Sequence, residues 1–224
     1  MPSVIDAGRR PRRDATANRE ALLAAAAVAL GEASDAPLDR ITRAAGLTRR
    51  AFYGHFANRD ELVFAVIDAG ALRLNAIAAE TDDRHAPTAI ALLGARLWGA
   101  VEHVRVLAGM VVREPYATHA AGALAPVRDR LRAFVERGVA EGTVRPDIPA
   151  DVLARLIESA AIAVLLEAAA SRIADAAGRR LVMLAVLGTA GLSWRESAEL
   201  IDTAPALAAP APTAPERGAE ETTA

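Results

Sequence analysis

The sequence predicts an all-α protein, and three observations carry that expectation. Aromatic residues make up only 4% of the 224 residues, too few for strands, which draw on aromatic and β-branched side chains. Alanine and arginine, both good helix formers, are in excess. Apolar residues recur every three or four positions in long blocks, and proline or glycine separates the blocks. The hydrophobic fraction of 53% suffices for a core. All 26 basic residues are arginine, which reads as a coding bias rather than chemistry. With no cysteine, disulfides, thiolate metal sites and cysteine catalysis are excluded.

Residues 1–14 read as a flexible basic arm, interrupted by Pro2, Gly8 and Pro11. A first helix is predicted over 15–33, with Leu22, Leu23, Ala26 and Leu30 at core spacing. Ser34-Asp35-Ala36-Pro37 breaks the chain, with Asp35 or Ala36 as the cap and Pro37 in the first helical turn. A second helix follows over 38–45, and Gly46 stops it. Thr48 caps a third over 49–56. Asn58 caps a fourth, and Glu61 three residues on completes a capping-box pattern. That helix is expected to reach residue 79. After the breaker at 81–87, helices are expected over 88–103, 104–113, 120–141, 150–170, 173–192 and 194–201. The loop at 142–149 separates two of the longer ones. From Thr203 the chain is Ala, Pro, Thr and Glu without periodicity, a disordered tail. The organisation is therefore an arm (1–14), a helix-turn-helix domain (15–67), a second helical domain (68–202) and a tail (203–224).

Two membrane readings fail. Arg9–Arg13 before the apolar stretch Ala21–Leu30 has the outline of a secretory signal, but Asp14, Arg19 and Glu20 lie at its edge and no cleavage site follows. The longest uncharged run in the folded part, Leu181 to Trp194, is 14 residues, short of the roughly 18 that a spanning helix needs.

Residues 37–62 carry the chemistry. Between Asp39 and Asp60 lie five arginines (Arg40, Arg43, Arg49, Arg50, Arg59) and no acid. Met1 to Asp60 holds ten arginines against seven acids, while the remainder is net acidic. A basic head on an acidic body implies a head that meets polyanion. Two short helices with a one-sided positive face and an aromatic at the end are a DNA reader's layout. Thr48 can cap the third helix and touch phosphate. Arg49 and Arg50 are forks able to reach guanine O6 and N7. Tyr53, one turn on, can bond phosphate or contact a thymine methyl. His55 and Arg59 would hold the opposite backbone edge, and Arg43 faces the same strand. Leu38, Ile41, Leu47, Phe52, Phe56 and Leu62 are the apolar set joining the three helices.

Ile41, Thr42, Ala45, Gly46, Leu47, Thr48, Tyr53, His55, Phe56, Arg59, Glu61 and Leu62 together resemble the TetR family of bacterial one-component transcriptional repressors, over residues 18–67. Residues 140–147, Ala-Glu-Gly-Thr-Val-Arg-Pro-Asp, are similar to a loop the family often carries. The sequence departs from the pattern at Pro37, Thr42, Arg50 and Ala51, where small or hydroxyl-bearing residues are usual; Ala51 still holds a DNA-facing position. These departures bear on which operator is read.

The resemblance implies a ligand-responsive regulator that binds a palindromic operator on double-stranded DNA as a homodimer. The dimer would be built from the last two long helices, whose residues 160–166 and 181–192 are apolar nearly all round. It further implies a small-molecule effector in a cavity of the second domain. Candidate wall residues are Trp98, His103, Met110, Tyr116 and Phe134, and their character points to a largely hydrophobic molecule. Effector binding would tilt the fourth helix and lower DNA affinity. No cofactor, metal site or membrane partner is expected, and the implied location is the cytoplasm. Two other regulators fit the same residues: a ligand-independent or architectural DNA-binding protein, and an activator. Catalysis is not expected, because the four histidines sit on separate segments and no phosphate-binding glycine loop occurs.

Overall fold

A computed structural model of the chain describes residues 9–101 and 109–208, with side chains from Asp14 onward. Regular structure among them is helical throughout: α1 (Arg9–Glu32), α2 (Leu38–Ala44), α3 (Arg49–Tyr53), α4 (Arg59–Glu80), α5 (Ala86–Ala100), α6 (Tyr116–Ala123), α7 (Ala125–Ala140), α8 (Ala150–Ser171), α9 (Asp175–Ala190), α10 (Trp194–Thr203) and α11 (Pro205–Ala208). The chain divides into two compact units, Met1–Arg73 with His103–Ala125 and Leu74–Glu102 with Pro126–Ala224. The described residues 109–125 thus group with the amino-terminal helices, which periodicity along the chain does not reveal. His103, most of the expected helix 104–113, the first eight residues of the arm and the tail beyond 208 lie outside the described residues.

In the first unit α1 begins at Arg9, six residues earlier than expected. Pro11 does not break it, because a proline in the first turn gives up an N–H that has no partner there. Pro37 is itself the cap residue of α2, extended at φ −70° and ψ 148° with no side-chain cap, in place of Asp35 or Ala36. Gly46, at φ +68°, closes α2. Its N–H bonds the Arg43 carbonyl at 3.1 Å, and the Leu47 N–H bonds Thr42 at 2.9 Å. This paired closure satisfies carbonyls that the helix end leaves free. α3 stops at Tyr53 rather than Phe56, since the Gly54 N–H takes the Ala51 carbonyl and tightens the turn. Asn58 Oδ1 accepts the Glu61 N–H at 2.9 Å, and the Glu61 carboxylate reaches back to the Ala57 N–H. The core of this unit is Leu22, Leu30, Ile41, Phe52, Phe56 and Leu62, all buried. Phe52 and Phe56 stack at 5.7 Å between ring centroids.

In the second unit α5 is buried on nearly every side from Ala86 to Ala95. α9 packs against both α5 and α8. Trp98 anchors this packing: its indole N–H donates to Asp175 Oδ1 at 2.7 Å, and its ring lies against Gly178, where a Cβ would fall 2.1 Å from Cζ2. The end of α4 and the segment just after it are held by arginines. Arg96 donates to the Glu80 carbonyl at 3.1 Å, Arg130 to that of Thr81 at 2.8 Å and Arg137 to that of Asp83. Arg130 and Arg137 also lie over the Phe134 ring, at 4.7 and 5.3 Å.

Two further expectations are corrected. The single helix expected over 120–141 is two, parting at Leu124, because Pro126 can neither donate to the preceding turn nor clear its carbonyl. The chain does not become a tail at Thr203. α11 follows, and Leu207, 1% exposed, packs with Leu92, Ala95, Met183, Leu187 and Ile201. One leucine in an Ala/Pro stretch carries no periodicity, so only packing reveals it. Among the described residues α4 alone is long and apolar enough to cross a membrane, with mean hydropathy 1.7. It carries Asp68 and Arg73 in its interior, and its Leu62, Val63 and Val66 are buried in the first unit.

The Gly178–Trp98 contact leaves no room for a methyl group. Gly178→Ala is expected to cost about 1–3 kcal/mol through overpacking, seen as a lower urea midpoint at unchanged slope.

Candidate nucleic-acid interface

The candidate reading face consists of the end of α2, the turn at Gly46 and the short helix α3. Burial of Phe52 points one side of α3 into the core, so Arg49, Arg50 and Tyr53 stand on the other, exposed side. Thr48 Oγ1 accepts the Ala51 N–H at 3.1 Å. The hydroxyl proton is not used by that bond and remains available to an acceptor outside. Arg43 is exposed in the last turn of α2. Ala51 is half-buried, and Tyr53, 57% exposed, meets Phe52 edge-on at 5.2 Å. Its ring is therefore braced by Phe52 while much of the side chain remains open to solvent.

Two arginines have protein partners that spacing along the chain did not suggest. Arg49 Nε donates to Asp39 Oδ1, which joins α3 to the first turn of α2. Arg59 donates from Nη2 to the Ser34 carbonyl at 2.7 Å, fastening the start of α4 to the loop after α1. Arg59 and His55 are half-buried. Arg49 and Asp39 stand ten residues apart, so the pair becomes visible only when the turn has folded. Asp39 is the one acid in the stretch 37–59, and that solitary position was the available signal.

The proposed ligand residues do not form one cluster. Trp98 and Phe134 are buried in the core of the second unit. Tyr116 and Met110 belong to the first, where with Ser34, Gly109, Arg113 and Glu114 they line an open hollow of about 350 Å³. The Tyr116 hydroxyl bonds Asp60 Oδ1 at 2.5 Å, and its ring meets Phe64 edge-on at 5.5 Å. Burial first, then the hydrogen bond to Asp60 and its charge, push the Tyr116 phenol above its ordinary 10.0. Nearby, His119 Nε2 lies 2.7 Å from Asp68 Oδ1. None of these acidic partners was anticipated from sequence.

Residues 22–66 match the family described as bacterial regulatory proteins, tetR family. No curated protein matches the chain in sequence. Solved structures do. The transcriptional regulator FadR from Bacillus subtilis, in complex with stearoyl-CoA, superposes with a TM-score of 0.65 at 13% identity, covering 77% of this chain and 97% of that one. RolR in complex with resorcinol gives 0.62 at 18% identity, covering 90% and 98%. SmeT, the repressor of the Stenotrophomonas maltophilia multidrug efflux pump SmeDEF, gives 0.59 at 23% identity, covering 76% and 87%. At these identities the likeness is one of fold.

Thr48→Ala removes the only side-chain cap of a five-residue helix and is expected to cost about 1 kcal/mol, measured as a drop in Tm. For Tyr116 the folded-state pKa is the higher one. Its stabilising contribution is therefore complete below about 10 and is lost as pH rises through the folded value. Tyr116→Phe is expected to flatten the alkaline limb of the stability–pH profile. Ultraviolet titration of Tyr53→Phe, in which Tyr116 is the remaining tyrosine, should show its midpoint above that of a free phenol.

Proposed function

We propose that this chain is a TetR-family transcriptional regulator and not an enzyme, a ligand-responsive repressor acting on DNA in the cytoplasm; the match of residues 22–66 to the tetR family supports this. The observation that carries the reading is the capped helix α3, which exposes Thr48, Arg49, Arg50 and Tyr53 on the side opposite buried Phe52. Arg43, Ala51, His55 and Arg59 complete the proposed contact set. A single helix of this length offers few base contacts, so two copies reading a palindrome one DNA turn apart supply the specificity.

The homodimer is assigned to α8 and α9. Leu156 on α8 and Leu181 on α9 are 45% and 37% exposed, beside the small residues Ala163 and Gly188, which are exposed too. A second copy would cover these apolar side chains. FadR and RolR, which share the fold, hold stearoyl-CoA and resorcinol, which supports an organic effector here; its largely hydrophobic character is our reading of the expected wall residues. Of the expected wall residues, Met110 and Tyr116 line the hollow of the first unit and are its proposed neighbours; Trp98 and Phe134 are core residues of the second unit. Effector binding acts on DNA through α4, the helix that contributes residues to both units. It does so only as far as the effector prefers one of the two forms.

The test is fluorescence anisotropy of the full chain on genomic fragments that include its own upstream region, at several salt concentrations. Tight, salt-sensitive binding to one fragment is expected, with loss of discrimination in an Arg49→Ala/Arg50→Ala double variant. Each bidentate contact removed should cost about 1–3 kcal/mol of discrimination. Equal binding to every fragment, indifferent to those arginines, would overturn operator reading through α3.

A further inference from the structure

Asp39 is an acid standing where acids are otherwise absent. It is the sole carboxylate in the stretch 37–59, it lies in the first turn of α2, and it receives Arg49 Nε from α3. The side chains are 58% and 60% exposed. An ion pair so open to water contributes little to stability, so its consequence lies in what it does to the arginine.

We propose that Asp39 is the positioning residue of the DNA-reading face: its carboxylate fixes the plane of the Arg49 guanidinium so that its outer edge addresses a guanine. The inference rests on the reading that α3 enters a DNA groove. Nε is the guanidinium nitrogen nearest the chain, and the group is planar. Engaging Nε restricts the swing of the plane and leaves Nη1 and Nη2, with their parallel N–H groups, outside that bond. Those groups match O6 and N7 of guanine in the major groove. The same carboxylate opposes non-specific binding, because it repels phosphate and keeps Arg49 from swinging to the backbone, which every sequence presents alike. Asp39 thus gives up general affinity for discrimination at one base.

The rival role for Asp39 is purely structural, an acid favouring the amino end of α2. The two roles differ in what they do to sequence preference. The full-length wild type, Asp39→Ala, Arg49→Ala and the double variant would each select duplexes from a randomised pool. Anisotropy on selected and unrelated duplexes across a salt series, with Tm for each variant, completes the experiment. Asp39→Ala is expected to lose the guanine at one position per half-site, with discrimination there falling on the order of tenfold. Arg49→Ala and the double variant should lose the same position and nothing more. On unrelated DNA, Asp39→Ala should bind more tightly, with a salt slope steeper by about 0.9 as Arg49 gains a phosphate.

Retention of that guanine in Asp39→Ala overturns the proposal and leaves operator reading intact. So does a parallel weakening at all positions with a lowered Tm, which is the structural role. A wild type that selects no sequence overturns the operator reading itself, and this inference with it.

Discussion

A five-residue helix cannot sustain itself in water, because nucleating a helix costs more than so few hydrogen bonds return. α3 therefore exists only by virtue of what surrounds it. Phe52 is buried beneath it and stacks on Phe56. The turn at Gly46 brings in the chain at a fixed angle, and Thr48 caps the first turn. Everything proposed for the reading face depends on this support. The exposed side of α3 is defined by the buried side, and Arg49, Arg50 and Tyr53 are displayed because Phe52 has no other place to go.

The same logic of satisfied backbone groups governs α4. Its amino end is closed by Asn58 and Glu61 and tied by Arg59 to Ser34. At its carboxyl end the Glu80 carbonyl receives Arg96, and the carbonyls of Thr81 and Asp83 just beyond it receive Arg130 and Arg137. Arginine suits that task, since its planar fork can donate to a carbonyl and lie over the Phe134 ring at once. Each unit thus holds its own end of α4 through directional bonds.

The charge pattern is more selective than its sum. The reading stretch holds five arginines, but they do not act alike. Arg59 is committed to a carbonyl and Arg49 is oriented by Asp39. Arg40 is paired with Glu32. Arg43 and Arg50 stand exposed and have no described ionic partner. A protein built only for phosphate would gain from leaving all five free. Engaging some of them internally leaves fewer guanidinium groups free to meet phosphate.

Local chemistry was legible in the chain. The all-α class, the stop at Gly46, the caps at Thr48 and Asn58 and the apolar set around Phe52 follow from short-range rules. Capping, turn conformation and amphipathic period involve residues within a few positions of one another. What only the tertiary structure decided involves residues far apart. The grouping of 109–125 with the first unit, Arg49 on Asp39, Tyr116 on Asp60 and Leu207 in the second unit's core all depend on the path between elements. Helix ends moved for a local reason instead: Pro11 is harmless in a first turn where no N–H is needed, and Pro126 interrupts a run that would need one. A sequence states what each residue can bond; the folded chain determines which partner arrives.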